Sequence, residues 1–106
     1  MLETQGLIEN RKYAESVGND LQIAYDKGEL REYFDDVLDF EYHVTSRKEY
    51  KAVRVFLTLG GPTCWVDTCS NTVNVSWGGN GASWYLPIAI ANVIDEIFQE
   101  IYDNQS

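Results

Sequence analysis

The chain has 106 residues, the size of one domain, and is 44% hydrophobic and 13% aromatic, which supplies a core and excludes a disordered chain. Seventeen acidic residues against eight basic ones leave a net charge of −9, which argues against direct DNA binding and against docking on an anionic membrane. No apolar run reaches ~18 residues, MLETQGLIENRKY lacks the apolar stretch of a secretory signal, and only two cysteines occur; a cytoplasmic protein with free thiols is expected.

Apolar positions Ala14, Val17, Leu21, Ala24 and Tyr25 follow a helical period in the first 27 residues. Gly18 is expected to weaken or break this helix, and Gly28 to end it. A second helix is predicted over 29–38, because Leu30, Tyr33, Phe34, Val37 and Leu38 form one stripe. The period then changes to two. Leu38 to Val44, Tyr50 to Leu59, Thr63 to Thr68 and Val73 to Trp77 each alternate, giving four strands joined by short turns. Gly78 to Ser83 is expected to be a flexible loop. Pro87 opens a last helix over 88–103, with Ile90, Val93, Ile94, Ile97, Phe98 and Ile101 as its buried stripe.

The predicted class is therefore α+β: a four-stranded antiparallel meander in the order α-α-β-β-β-β-α, with the helices packed on the sheet. One domain is expected over 1–106, its 1–28 helical segment more loosely attached. Trp77 and Ile97 are expected in the core.

Motifs for chemistry are sparse. The GGNGAS loop precedes a helix but has no Lys nearby and is not a phosphate-binding signature. Cys64 and Cys69, with the single His43, fall short of a zinc site unless Asp67 joins them. A Cys–His pair would need an oriented base and an oxyanion hole, for which nothing in the sequence speaks. No catalytic residue, metal or cofactor is assigned.

Charge carries more information. All eight basic residues lie at or before Arg54, and Arg47, Lys48, Lys51 and Arg54 form one cluster. On the predicted second helix, Glu29, Glu32, Asp36 and Asp39 step by three and four residues, with Asp35 beside them. Glu32 and Asp36 would then lie about 6 Å apart along the axis, close to a phosphate spacing. Glu96, Glu100 and Asp103 repeat the pattern on the last helix. Trp84 and Tyr85 follow the glycine loop and are the aromatic candidates for a partner surface.

The strings YFDDVLDFEYHV, YKAVRVFLTLGGPTCWVDT, WGGNGASWYLP and IDEIFQEIY resemble small acidic proteins of plasmids and integrative elements of Gram-positive bacteria, among them type II-A anti-CRISPR proteins. The resemblance spans about Tyr33 to Tyr102, and GGPTCWVDT and WGGNGASWYLP are its most specific parts. It implies a non-enzymatic inhibitor of Cas9, acting in the bacterial cytoplasm on Cas9 or the Cas9–guide RNA complex, as a monomer or homodimer. Cas9 holds its nucleic acids in basic channels, which an acidic protein of this size could occupy. Two other readings stay open: a scaffold module of a mobile element that binds through an aromatic surface, and a small metal-dependent nuclease.

Overall fold

The computed structural model describes residues 5–35, 37 and 39–104, with side chains from Glu9 onward. The elements are α1 (Gln5–Asp26), α2 (Leu30–Tyr33), β1 (Asp39–Val44), β2 (Tyr50–Thr58), β3 (Thr63–Asp67), β4 (Thr72–Trp77), β5 (Asn80–Tyr85) and α3 (Ile88–Asp103). The strands form one antiparallel meander in the order β1-β2-β3-β4-β5. The class is α+β, as the alternation predicts, but with five strands in place of four.

The fifth strand occupies most of the predicted glycine loop. Gly78 and Gly79 have φ of +64° and +78°, and Trp77 pairs with Asn80. Two consecutive left-handed residues make the two-residue turn whose twist matches that of its flanking strands, and glycine adopts that conformation without strain. The turn therefore starts a hairpin rather than a loop.

The second helix is a single turn, far shorter than the predicted 29–38. Phe34 N–H reaches both Leu30 and Arg31 carbonyls at 3.2 Å, and Asp35 N–H reaches Glu32 O at 3.2 Å. These tightened bonds close the turn. Asp35 favours that ending, since an aspartate side chain competes for backbone groups in a helix. Phe34 still enters the core, and the chain then runs out into β1. Leu38, predicted in both the helix stripe and the first strand, lies outside the described residues.

One face of the sheet builds the core. Phe40, Val55, Val66, Val73 and Trp84 lie in register across all five strands, with Cys64, Val75 and Ala82 in a parallel row. Val53, Val55, Val66, Val73 and Cys64 are fully buried. α1 covers β4 and β5, while α3 packs against β2 and touches α1 and α2. Ala14, Val17, Leu21 and Ala24 from α1 meet Ile90, Ile94, Ile97 and Phe98 from α3 in a single cluster.

Gly18 does not break α1, which runs unbroken through it. A Cβ there would sit 2.5 Å from Trp84 Cδ1. Glycine is thus the notch that lets the indole lie against the helix, and the packing outweighs its helix propensity of about 1 kcal/mol.

Polar groups fix α3 to the sheet. Asp95 accepts hydrogen bonds from the Tyr50 hydroxyl (2.7 Å) and the Thr68 hydroxyl (2.8 Å), and Thr68 Oγ1 in turn accepts from Val53 N–H (2.9 Å). Tyr50 reaches inward because the β1–β2 register slips between His43 and Val44, leaving Lys51 as the extra residue. At the end of α3 the Tyr102 hydroxyl donates to the Lys48 carbonyl, and its ring meets Tyr42 edge-on at 4.9 Å.

Candidate functional site

The predicted acidic ridge on the second helix is dismantled by the helix's early end. Glu29 is the N-cap of α2 and Glu32 lies within it. Asp35 is exposed in the turn that follows. Asp36 lies outside the described residues. Asp39 opens β1, exposed, and accepts the Phe40 N–H at 2.8 Å. These acids therefore divide between a helical corner and a sheet edge rather than forming one ladder.

A different acidic grouping takes shape around α2. On one flank, Asp20, Lys27, Glu29 and Glu32 line a shallow recess with Ile23 and Tyr33. On the other flank, Arg31, Glu96 and Glu100 line a second recess with Tyr25, Leu30 and Val93. Arg31 spans the gap between the helices, its guanidinium 2.7 Å from the Glu100 carboxylate, with both side chains more than half exposed. An exposed pair of this kind adds about 0–1 kcal/mol, so it orients rather than holds the helices. The result is an acidic shoulder built from α1, α2 and α3. Asp103, exposed at the end of α3, lies further along the same helix and is engaged in an interaction of its own.

The desolvated end of this corner raises one phenol. Burial, reinforced by the nearby Asp20 charge, pushes the Tyr33 hydroxyl up to about 12. The phenol is a neutral wall of the recess at physiological pH.

The two aromatic candidates separate. Trp84 faces inward against Gly18 and is 37% exposed, so much of its ring serves packing. Tyr85 is 67% exposed on the opposite face. Trp77, expected in the core, is half exposed and rests on the β2–β3 turn, where a Cβ on Gly61 would meet its Nε1 at 2.9 Å. Ile97 is buried as expected.

The sheet's second face carries no helix among the described residues. Asp39, Phe56, Trp65, Asn74 and Ser83 form one row across it, and Glu41, Arg54, Asp67, Thr72 and Tyr85 the next. Phe56 and Trp65 rings lie 6.3 Å apart. Ser83 donates to Asn74 Oδ1 at 2.7 Å. The Arg54 guanidinium stands 3.7 Å from Asp67, and its Nε has no hydrogen-bond partner. Alternation makes this face predictable strand by strand, but only the register brings Trp65 beside Phe56 and Arg54 beside Asp67.

The thiols fall on different surfaces. Cys64 is buried on the core face and Cys69 is exposed in the turn after β3. Burial pushes the Cys64 thiol up to about 12, so at neutral pH it is protonated and a poor nucleophile. Asp67 spends one oxygen on the Cys69 N–H at 2.8 Å. Among the described residues no three His, Cys, Asp or Glu side chains gather as metal ligands. No helix among them is long and apolar enough to cross a membrane. Comparison with protein-family models, curated proteins and solved structures gives no match.

Proposed function

We propose that the chain is a non-catalytic inhibitor that binds a basic, nucleic-acid-holding surface of Cas9 and hinders guide-RNA loading or DNA binding. The observation that carries this reading is the acidic shoulder: Asp20, Glu29 and Glu32 on one flank of α2 and Glu96 and Glu100 on the other, against Lys27 and Arg31 in the same recesses. It stands on a chain of net charge −9 with no Lys or Arg beyond Arg54. A concentrated negative field steers encounter with a basic channel and competes with phosphates for its arginines and lysines. The sequence resemblance to type II-A anti-CRISPR proteins supplies the identity of the partner.

The test is a cleavage assay with purified Cas9, the protein added before or after guide RNA. Inhibition is expected on the apo nuclease and weaker on the preassembled complex. Glu29→Lys with Glu32→Lys, and separately Glu96→Lys, should weaken inhibition while the melting temperature holds. Added salt should weaken it too, because exposed charge attraction is screened within about 8 Å at physiological ionic strength. Absence of binding to any Cas9 orthologue tested would overturn the reading.

The open sheet face favours a second reading, a binding module of a mobile element that docks through aromatic side chains. Phe56, Trp65 and Tyr85 lie on that face. Binding that survives the charge reversals and high salt but is lost in Trp65→Ala would select it.

A further inference from the structure

The sheet has two edges, and they differ in how they are protected. β1 carries Asp39, Glu41 and His43. Self-pairing there would oppose like charges, the usual device against edge-to-edge association. β5 reads Asn-Gly-Ala-Ser-Trp-Tyr, with neither a charge nor a proline.

The β5 backbone is free on its outer side. Antiparallel ladders alternate residues that bond the neighbouring strand with residues whose groups point away. Leu86 N–H donates to Asn71 O at 2.8 Å, which places Trp84, Ala82 and Asn80 in the bonded set facing β4. Gly81, Ser83 and Tyr85 therefore direct their N–H and C=O groups away from the sheet. All three residues are exposed, and among the described residues no backbone–backbone hydrogen bond outside the β4–β5 ladder takes up those groups. Six unused main-chain groups in register form a template for another strand.

We infer that the occupant is β5 of a second copy, paired antiparallel about a two-fold axis through Ser83 to give a continuous ten-stranded sheet. The sequence of the strand is self-complementary about that residue. Ser83 meets Ser83 of the second copy, Gly81 meets its Tyr85, and Ala82 meets its Trp84. The Tyr85 ring thus lies over Gly81 of the second copy, which is how a bare edge glycine is covered in paired strands, while the Trp84 indole keeps its place against Gly18. This register alone uses all six groups. Centring on Ala82 or Trp84 uses four, and centring on Trp84 sets the two indoles against each other. The open face of each protomer, with Phe56 and Trp65, would then continue across the axis through Tyr85.

The experiment is sedimentation equilibrium of the full chain from about 1 μM to about 1 mM, with amide hydrogen exchange at both ends of the range. A monomer–dimer equilibrium is expected, with the amides of Gly81, Ser83 and Tyr85 protected only at high concentration. Ser83→Lys places two ammonium groups opposite each other on the exposed face and should raise the dissociation constant by about tenfold or more at an unchanged melting temperature. Added salt should strengthen the dimer, because two chains of charge −9 repel. A monomer throughout the range, a dimer indifferent to Ser83→Lys, or a dimer that leaves those three amides exchanging would overturn the inference. So would protection of the edge only on addition of a different polypeptide. The exchange measurement on the unmodified chain decides the matter even where the variant folds poorly.

Discussion

The two faces of the sheet are made by alternate residues of the same strands, yet they have opposite fates. The inner face presents Val53, Val55, Val66, Val73 and Val75, all essentially inaccessible beneath α1 and α3. The outer face presents Phe56, Trp65, Arg54 and Asn74, each partly exposed, beside the exposed Ser83 and the buried Asp67. The first is uniform and apolar, and its worth scales with the area removed from water. The second pairs charges, amides and rings and carries no helix among the described residues. A substitution's effect on stability should therefore depend on which parity it strikes.

The largest expected effect comes from the inner side. Phe98 is 1% exposed and touches the rings of Phe34 and Phe40 at 5.6 and 5.2 Å. Phe98→Ala should cost about 3–5 kcal/mol, read from urea denaturation. Next is Asp95, where Asp95→Ala leaves the Tyr50 hydroxyl without its acceptor and the Thr68 hydroxyl with only the Val53 carbonyl at 3.3 Å, and should cost about 1–3 kcal/mol. Asp95→Asn keeps an acceptor and should cost less, by the same measurement. Gly18→Ala gains helix propensity but forces the Trp84 indole out of its notch. A net loss of about 1 kcal/mol is expected, and Trp84→Ala in the Gly18→Ala background should show the two costs to be non-additive. Trp65→Ala, on the outer face, should change stability by less than about 1 kcal/mol. A loss as large as that of Phe98→Ala would break the comparison, for it would mean that the outer face too is structural.

At neutral pH two groups on the inner side, Cys64 and Tyr33, should stay neutral. The Cys64 thiol is raised from 9.0 to about 12, and the Tyr33 phenol from 10.0 to about 12. Both raised groups prefer their neutral form in the folded chain. Their contribution is complete below pH 9 and is lost as the pH climbs from about 9 towards 12, where the unfolded chain ionises first. Urea midpoints measured between pH 7 and 11 should be flat at first and then fall, with Cys64→Ala delaying the fall to about pH 10. In the folded chain at pH 7, Cys69 should react with a thiol reagent rapidly and Cys64 slowly.

Much of this parity is legible from the sequence. The alternation locates β1 to β4 within a residue or two, and the period of 3.6 locates α3 over Ile88–Asp103. Three features resist it. The Gly78-Gly79 turn leads into Asn80–Tyr85, whose composition has little strand preference; the signal was the spacing of two glycines between Trp77 and Asn80, not the residues that follow. The stripe from Leu30 to Leu38 suits a helix and a strand equally at its end, because Phe34 serves the core from a turn as well as from a helix. Gly18 looks like a defect until the residue it accommodates, sixty-six positions away, is in view. The candidate site suffers most from the second of these. Glu29 and Glu32 join Asp20, Glu96 and Glu100 through tertiary packing, which no local period records.

The Asn10 side chain ties α1 to the turn of the β4–β5 hairpin. It is 2% exposed, and its amide donates to the Trp77 and Asn80 carbonyls at 3.2 and 3.3 Å, across sequence separations of 67 and 70 residues. The strands that bury α1 are the last two of the meander, so three strands lie in the chain between α1 and the hairpin that completes its cover. Most of a helix's stability in a folded chain comes from tertiary packing of its apolar face. Closing so long a loop carries an entropic cost that contacts repay only afterwards. The hairpin whose turn accepts the Asn10 amide is thus the same one that covers the Ala14–Val17–Leu21 stripe of α1.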